Sequence, residues 1–416
     1  MSFRAFVRAL GAALVGLLGF TAPAPAASAV ADRAPVILIS LDGFRWDYCD
    51  LHPAETPTLR RLRAEGVSTR SLVPAFPSNT FPNHYTLVTG LYPAHHGIVN
   101  NKMFDPRTGE FFRYNNPASS REAQWWGGEP IWITAVKQGR ISACSHWAGS
   151  EAEIGGHRAT YWRPFDYFDV TFEQRLEKFA GWFALPPAQR PAVAVFYIEE
   201  ANARGHYQGP DSAALVATLR QIDTQVETLL ARLARDGVTP NVVIVSDHGM
   251  TAVSPDRRLA LDDYLDVSTV QIEDSGSTLG LRPRAGVELA TIERALARLP
   301  HAQVYRAENL PARFQMSGHP RIPPLWILPE EGWRIDTSAA IQQADRNPRT
   351  VVGDHGYDPA LANMHGIFLA HGPAVRRGVS LPECENIHVY NLLCALAGLT
   401  PAPNDGDDRL VRAALR

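Results

Sequence analysis

Hydrophobic and polar positions along this chain follow two periods. Continuous apolar, largely β-branched runs occupy Pro35–Leu41 (PVILISL), Pro191–Ile198 (PAVAVFYI), Asn241–Ser246 (NVVIVS) and Gly366–Gly372 (GIFLAHG). Runs of this kind are the mark of strands buried on both faces. Shorter strands are predicted over Val67–Val73 and near Ile141, Gln303 and Leu325. Between the runs, apolar residues return at helical spacing, most clearly at Leu215, Leu219, Ile222, Val226 and Leu229, which predicts a helix over 211–236. A second helix is bracketed by Thr56 as its cap, Pro57 at its first position and Gly66 as its stop. Further helices are expected over 80–90, 129–139, 288–299 and 387–396. Strands alternating with helices predict an α/β fold, a mostly parallel central sheet flanked by helices on both faces.

The first 29 residues follow a different logic. Arg4 and Arg8 precede an apolar stretch from Ala9 to Phe20, and small residues then lead to Ala26 and Ala29, either of which suits cleavage. This predicts a signal peptide over 1–29, a single domain over 30–416, and a periplasmic or secreted location. No later segment reaches the roughly 18 uninterrupted apolar residues that a membrane span requires. A formal charge of -3 without a basic block offers no nucleic-acid groove. Cys49, Cys144, Cys384 and Cys394 fit no zinc-binding spacing. In an oxidising compartment they allow three pairings, of which Cys384–Cys394 closes the shortest loop and is the first expected.

Polar residues with metal-binding chemistry gather at the ends of the apolar runs. Asp42 and Gly43 follow the first, Asn202 and His206 lie just past the second, Asp247-His248-Gly249 closes the third, and His365 precedes the fourth. Ligands of open α/β sheets bind beyond the carboxyl ends of strands, and Asp and His donors suit zinc or a similar ion. The donors are too many for one tetrahedral ion and about enough for two. Paired ions, roughly 3.5–4 Å apart, clamp the attacking and leaving oxygens of a phosphoryl displacement. Thr80 opens a predicted helix, where free N–H groups and the helix dipole favour an anion. A metal on its hydroxyl would make it a nucleophile; without one, it is a simple helix cap.

SLDGFRWDY, FPSNTFPNHYTLVTGLYPAHHGIVNN, the Glu-x-x-x-x-Gly-His segment, VSDHGM, GDHGYD and NMHGIFLAHGP together resemble the nucleotide pyrophosphatase/phosphodiesterases of the alkaline phosphatase superfamily, from residue 35 to about 400. The resemblance implies an alkaline-phosphatase-like fold and two zinc ions per chain. Asp42, Thr80, Asp247 and His248 would hold one ion, and Asn202, His206 and His365 the other. Thr80 would attack phosphorus to give a phospho-threonine, which water then hydrolyses, releasing a nucleoside 5′-monophosphate. Asn101, next to Asn100, would bind a phosphoryl oxygen, while Phe81 and Tyr197 would sandwich a nucleobase. His84, His95, His96, His355 and His371 have no place in that pattern and are expected to be structural or supporting, His355 being the best placed to steady a metal ligand.

The chain departs from the pattern at one point. The family has Glu-x-Pro-Asp-x-x-Gly-His, and this chain has Glu199-Glu200-Ala201-Asn202-Ala203-Arg204-Gly205-His206. An amide oxygen can coordinate but brings no charge, so the second ion should bind more weakly and hydrolysis of the phospho-enzyme should slow. Glu199 and Glu200 are expected to be structural. The competing readings are a phosphomonoesterase on the same scaffold and a catalytically weakened nucleotide-binding homologue. A sulfatase is excluded, because no Cys-x-Pro-x-Arg or Ser-x-Pro-x-Arg segment is present.

Overall fold

The computed structural model describes residues 33–165, 170–347 and 349–416, so the predicted leader falls outside the described residues. Each apolar run forms a strand. Eight strands make the main sheet: β1 Val36–Leu41, β2 Val67–Thr69, β3 Ser142–Ser145, β4 Tyr161–Arg163, β5 Val193–Ile198, β6 Asn241–Val245, β7 Phe368–His371 and β8 Val379–Leu381. Their order is β8-β2-β7-β6-β1-β5-β3-β4. All pairs are parallel except those made by β7, which runs antiparallel to both β2 and β6.

Alternate residues of these strands feed two separate cores, which is why the sequence shows unbroken apolar runs. One face gathers Val36, Leu38, Val195, Tyr197, Val243 and Val245 under helix α2, Thr80–Thr89. The other gathers Ile37, Ile39, Phe196, Ile198 and Ile244 under α1, Pro57–Glu65, and α4, Ala213–Arg235. Between β5 and α4 lies the shorter helix α3, Glu200–Gln208. Thr56 does not cap α1; its hydroxyl bonds to the His52 carbonyl. The free N–H groups of Thr58 and Leu59 go instead to the buried carboxylate of Asp223 in α4, at 3.0 and 2.8 Å. A helix N-terminus must find acceptors somewhere, and here they come from 165 residues away.

The segment between β6 and β7 carries its own antiparallel sheet of Val270–Ile272, Leu279–Pro283, Leu325–Pro329 and Ala302–Arg306. Its core includes Leu279, Leu281, Ile292, Leu325 and Ile327. All four cysteines are free and buried, and the expected Cys384–Cys394 bridge is absent. Burial pushes the thiols of Cys49, Cys384 and Cys394 up to about 12, so they serve as small apolar side chains. Among the described residues, no helix is long and apolar enough to cross a membrane.

Candidate metal centre

The register of the central strands sets the site. Leu41 of β1 pairs with Ile198 of β5, and Ser40 with Val245 of β6, so three strands end together. Asp42, the Glu199–His206 segment and Asp247-His248 all emerge from that edge. Gly43 has φ +67, and a side chain there would come within 2.9 Å of the Asn202 backbone. The glycine thus lets α3 lie against the turn that carries Asp42. Gly249 is needed for contact rather than for turning: a Cβ would stand 2.2 Å from the Asn363 carbonyl oxygen.

Two groups of potential ligands result, Asp42/Asp247/His248 and His206/Asp354/His355. The first is fully buried. His248 Nε2 stands 3.4 Å from Asp42 Oδ1, 3.1 Å from Asp247 Oδ2 and 3.2 Å from the Thr80 hydroxyl. Thr80 is the first residue of α2, after Asn79, and the helix ends at Gly90 in the left-handed region. Asn83 fastens the preceding loop by donating to the carbonyls of Pro77 and Asn79, each at 2.9 Å. His84, one turn after Thr80, has Nδ1 at 3.1 Å from Asp247 Oδ2 and Nε2 at 2.8 Å from the Ser40 hydroxyl. It is a supporting residue, as expected.

The rings of the two groups touch. His355 stacks on His248 with centroids 3.6 Å apart and lies 5.0 Å from His206. Three imidazoles are anchored in the same way: Nδ1 of His248, His206 and His355 sits at 2.8–3.0 Å from the carbonyl oxygens of Gly249, Gly353 and Ser78. An Nδ1–H donated to a carbonyl leaves Nε2 as a lone-pair donor, the usual preparation of a metal-binding histidine.

Electrostatics differ between the two groups. Burial first, then the negative charge of Asp247, pushes the Asp42 carboxyl up to about 7. Burial opposes a charge on His248, yet the Asp247 carboxylate raises it to about 9. Burial also disfavours ionised Asp247, but the His248 and His84 rings overcome it and hold that carboxyl well below its usual range. In the other group burial lowers His206 and, with the neighbouring His248 and His206, lowers His355 far more, leaving neutral imidazoles suited to a cation. Asp42 Oδ1 and Asn202 Oδ1 are buried without a hydrogen-bond partner, and Asp247 Oδ2 meets only the His84 and His248 ring nitrogens, each at 3.1 Å. Incompletely satisfied buried acceptors are costly, and a bound dication would satisfy all three. The residues fit a metal of the kind the resemblance implies.

The structure relocates three of the sequence expectations. His365 is not in either group. Its Nδ1 bonds to Ser71 Oγ and its Nε2 to the Pro359 carbonyl, both at 2.9 Å, so no lone pair is left for a metal. His355 and Asp354 stand where His365 was expected. The sequence did carry a signal for them, since Asp354-His355-Gly356 repeats Asp247-His248-Gly249. Tyr197 does not line an open base site: it is 1% exposed, and its hydroxyl donates to Asp42 Oδ2. Phe81 is equally buried, among Phe112, Tyr114, Trp126 and Phe165.

The remaining expectations meet at the site. Asn101 Oδ1 accepts the Phe81 backbone N–H at 2.9 Å, leaving its amide N–H groups as donors beside Thr80. Asn100 is spent on structure, accepting from Asn79 Nδ2 at 2.7 Å and Asn101 N at 2.9 Å. Asn202 and His206 share one face of α3 at i and i+4. Glu199 and Glu200 are held by Arg175 at 3.0 and 3.5 Å and are structural. His95, His96 and His371 pair with Asp405, Thr86 and Glu65, outside the two groups.

Three comparisons bear on this geometry. The family model described as type I phosphodiesterase / nucleotide pyrophosphatase matches residues 36–358. Human ectonucleotide pyrophosphatase/phosphodiesterase family member 5 is 35% identical over 378 residues, covering 90% of this chain and 76% of the relative. The bis(5'-adenosyl)-triphosphatase enpp4 of Xenopus laevis is 36% identical over 380 residues, covering 89% and 79%. A solved structure of murine ENPP5, an inactive threonine-to-alanine form in complex with AMP, superposes with TM-score 0.85 at 34% identity, covering 92% of this chain and 100% of that one.

Proposed function

We propose, from the premise that the chain belongs to the type I phosphodiesterase / nucleotide pyrophosphatase family and is a hydrolase, that it cleaves nucleotide phosphodiester or pyrophosphate bonds at a two-zinc centre to release nucleoside 5′-monophosphates. The observation that carries this reading is Thr80 Oγ1 at 3.2 Å from His248 Nε2, at a helix N-terminus, against the buried Asp42 and Asp247 carboxylates. An AMP complex of a Thr-to-Ala form of a relative supports both the nucleotide and the threonine.

In this reading Asp42, Asp247 and His248 hold the ion next to Thr80, and His206, His355 and Asn202 hold the other, with Asp354 alongside. The ions supply Lewis-acid stabilisation and lower the pKa of a coordinated hydroxyl. The Thr80 hydroxyl releases its proton to solvent water as its oxygen attacks phosphorus, the bond to the leaving oxygen breaks, that oxygen takes up a proton from water as its pKa requires, and phospho-threonine forms. Water then attacks the same phosphorus, the P–Oγ bond breaks, and Thr80 is regenerated. The Asn101 amide donates to a phosphoryl oxygen, and the N-terminus of α2 adds its dipole. We place the reaction outside the cytoplasm, in the periplasm or the medium, on the strength of the Met1–Ala29 pattern.

A panel of the p-nitrophenyl ester of thymidine 5′-monophosphate, a diadenosine polyphosphate and p-nitrophenyl phosphate tests the proposal. Faster turnover of the first two is expected, with loss on chelation and recovery with zinc. Preference for the simple monoester would make the protein a phosphomonoesterase. Nucleotide binding without turnover would make it the weakened homologue to which Asn202 points.

A further inference from the structure

The two ligand groups offer a cation different amounts of charge. Asp42 and Asp247 bring two carboxylates to the first. The second has only Asp354, and its charge is already answered: Asp354 Oδ2 lies 2.8 Å from Arg334 Nε, and Oδ1 accepts the His355 backbone N–H at 2.9 Å. His206 and His355 are neutral donors, and Asn202 contributes an amide oxygen that is buried and unpartnered. A dication among the first donors is neutralised, whereas one among the second keeps its full charge at a partly exposed site near the protein surface. Attraction between unit charges 4 Å apart is about four times stronger at an effective dielectric of 20 than in bulk water, so the missing charge weighs heavily there.

We infer, resting on the metal reading above, that the Asn202 half binds its ion tightly only together with a phosphate-bearing nucleotide, so that nucleotide and second ion bind cooperatively. The phosphate dianion supplies the charge that a carboxylate at position 202 would have given. Access agrees with this order of events. The His206 side chain is 23% exposed, while those of His248 and Asp42 are 0% and 1% exposed, so the half that lacks charge is the one open to solvent. Linkage is reciprocal, so zinc at this half must tighten AMP by the same factor that AMP tightens zinc.

The experiment is equilibrium dialysis of the metal-stripped, full-length protein against buffered free zinc, with bound zinc counted by mass spectrometry. It is run with AMP, with adenosine and with neither. At a free zinc level that fills the first half, the wild type is expected to hold one ion per chain, rising to two with AMP and staying at one with adenosine. AMP should raise second-ion affinity by roughly 5–150-fold, the usual span of such couplings. Asn202→Asp is expected to hold two ions without AMP. Two tight ions in the wild type without nucleotide, or no gain with AMP, would overturn the linkage while leaving the two-metal reading intact. No zinc bound under any condition would overturn the metal reading itself. The wild-type comparison stands on its own should Asn202→Asp fail to fold.

Discussion

The two halves of the centre were built by different means. Asp42, Asp247 and His248 each follow the last residue of a central parallel strand within three positions, and they are locked by buried partners: Tyr197 on Asp42, and His84 and Ser246 around Asp247. His206 sits on a nine-residue helix, Asp354 on the two-residue strand Gly353–Asp354 after the inserted sheet, and His355 just past it. One half is fully buried and carries two carboxylates; the other is partly open, has its single carboxylate already paired with Arg334, and is assembled from distant pieces. The difference suggests a division of labour, with the first half preparing the nucleophile and the second receiving a substrate that completes it.

The sharpest way to break that division is Thr80→Ala. If Thr80 is the nucleophile, turnover should fall by on the order of 10⁴-fold or more, while AMP binding and zinc content persist. Steady-state rates alongside AMP calorimetry would show it. Retention of substantial turnover would shift the chemistry away from the buried half altogether.

Next in size is a paired test of two histidines. His355→Ala should remove one zinc per chain and lower activity by about 10–100-fold or more, the range seen when metal-ligand environments are disturbed. His365→Ala should leave zinc content unchanged and cost about 1–3 kcal/mol of stability by leaving Ser71 and the Pro359 carbonyl without their partner. Metal analysis and thermal unfolding of both variants decide the matter. The reverse pattern would restore the sequence-based assignment of His365.

That reassignment shows where the sequence was legible. The strands Val36–Leu41, Val193–Ile198 and Asn241–Val245, and the helices Thr80–Thr89 and Ala213–Arg235, fall within a few residues of their predicted bounds, because periodicity records burial directly. The donors that follow those strands inherited the same clarity. His365 also flanks a predicted strand, and because β7 runs antiparallel, with Phe368 opposite Val245, it does reach the edge where the parallel strands end; its ring is nevertheless taken up by Ser71 and the Pro359 carbonyl. Which partners a ring finds is a property of tertiary packing, which local pattern does not carry. The same holds for Asp223 capping α1 from within α4, and for the β-rich insertion, whose strands Val270–Ile272 and Leu279–Pro283 were not foreseen.

Tyr197 gives the smallest but most discriminating test. Its ring packs against His84 at 5.2 Å and Phe165 at 5.1 Å, and its hydroxyl is spent on Asp42. Tyr197→Phe keeps the aromatic face and removes only the hydroxyl. Were the ring stacking on a nucleobase, the variant would behave as wild type, since stacking needs the π-face alone. Because the hydroxyl instead holds a carboxylate of the metal-binding half, the variant should lose about tenfold in activity or zinc affinity at that half. The preference for nucleotide over simple nitrophenyl diesters should not move. Wild-type behaviour in both activity and zinc affinity would return Tyr197 to the substrate side. A loss in zinc affinity and kcat would fix it as the positioning residue of Asp42, and would show that the buried half owes its geometry to the core as much as to its ligands.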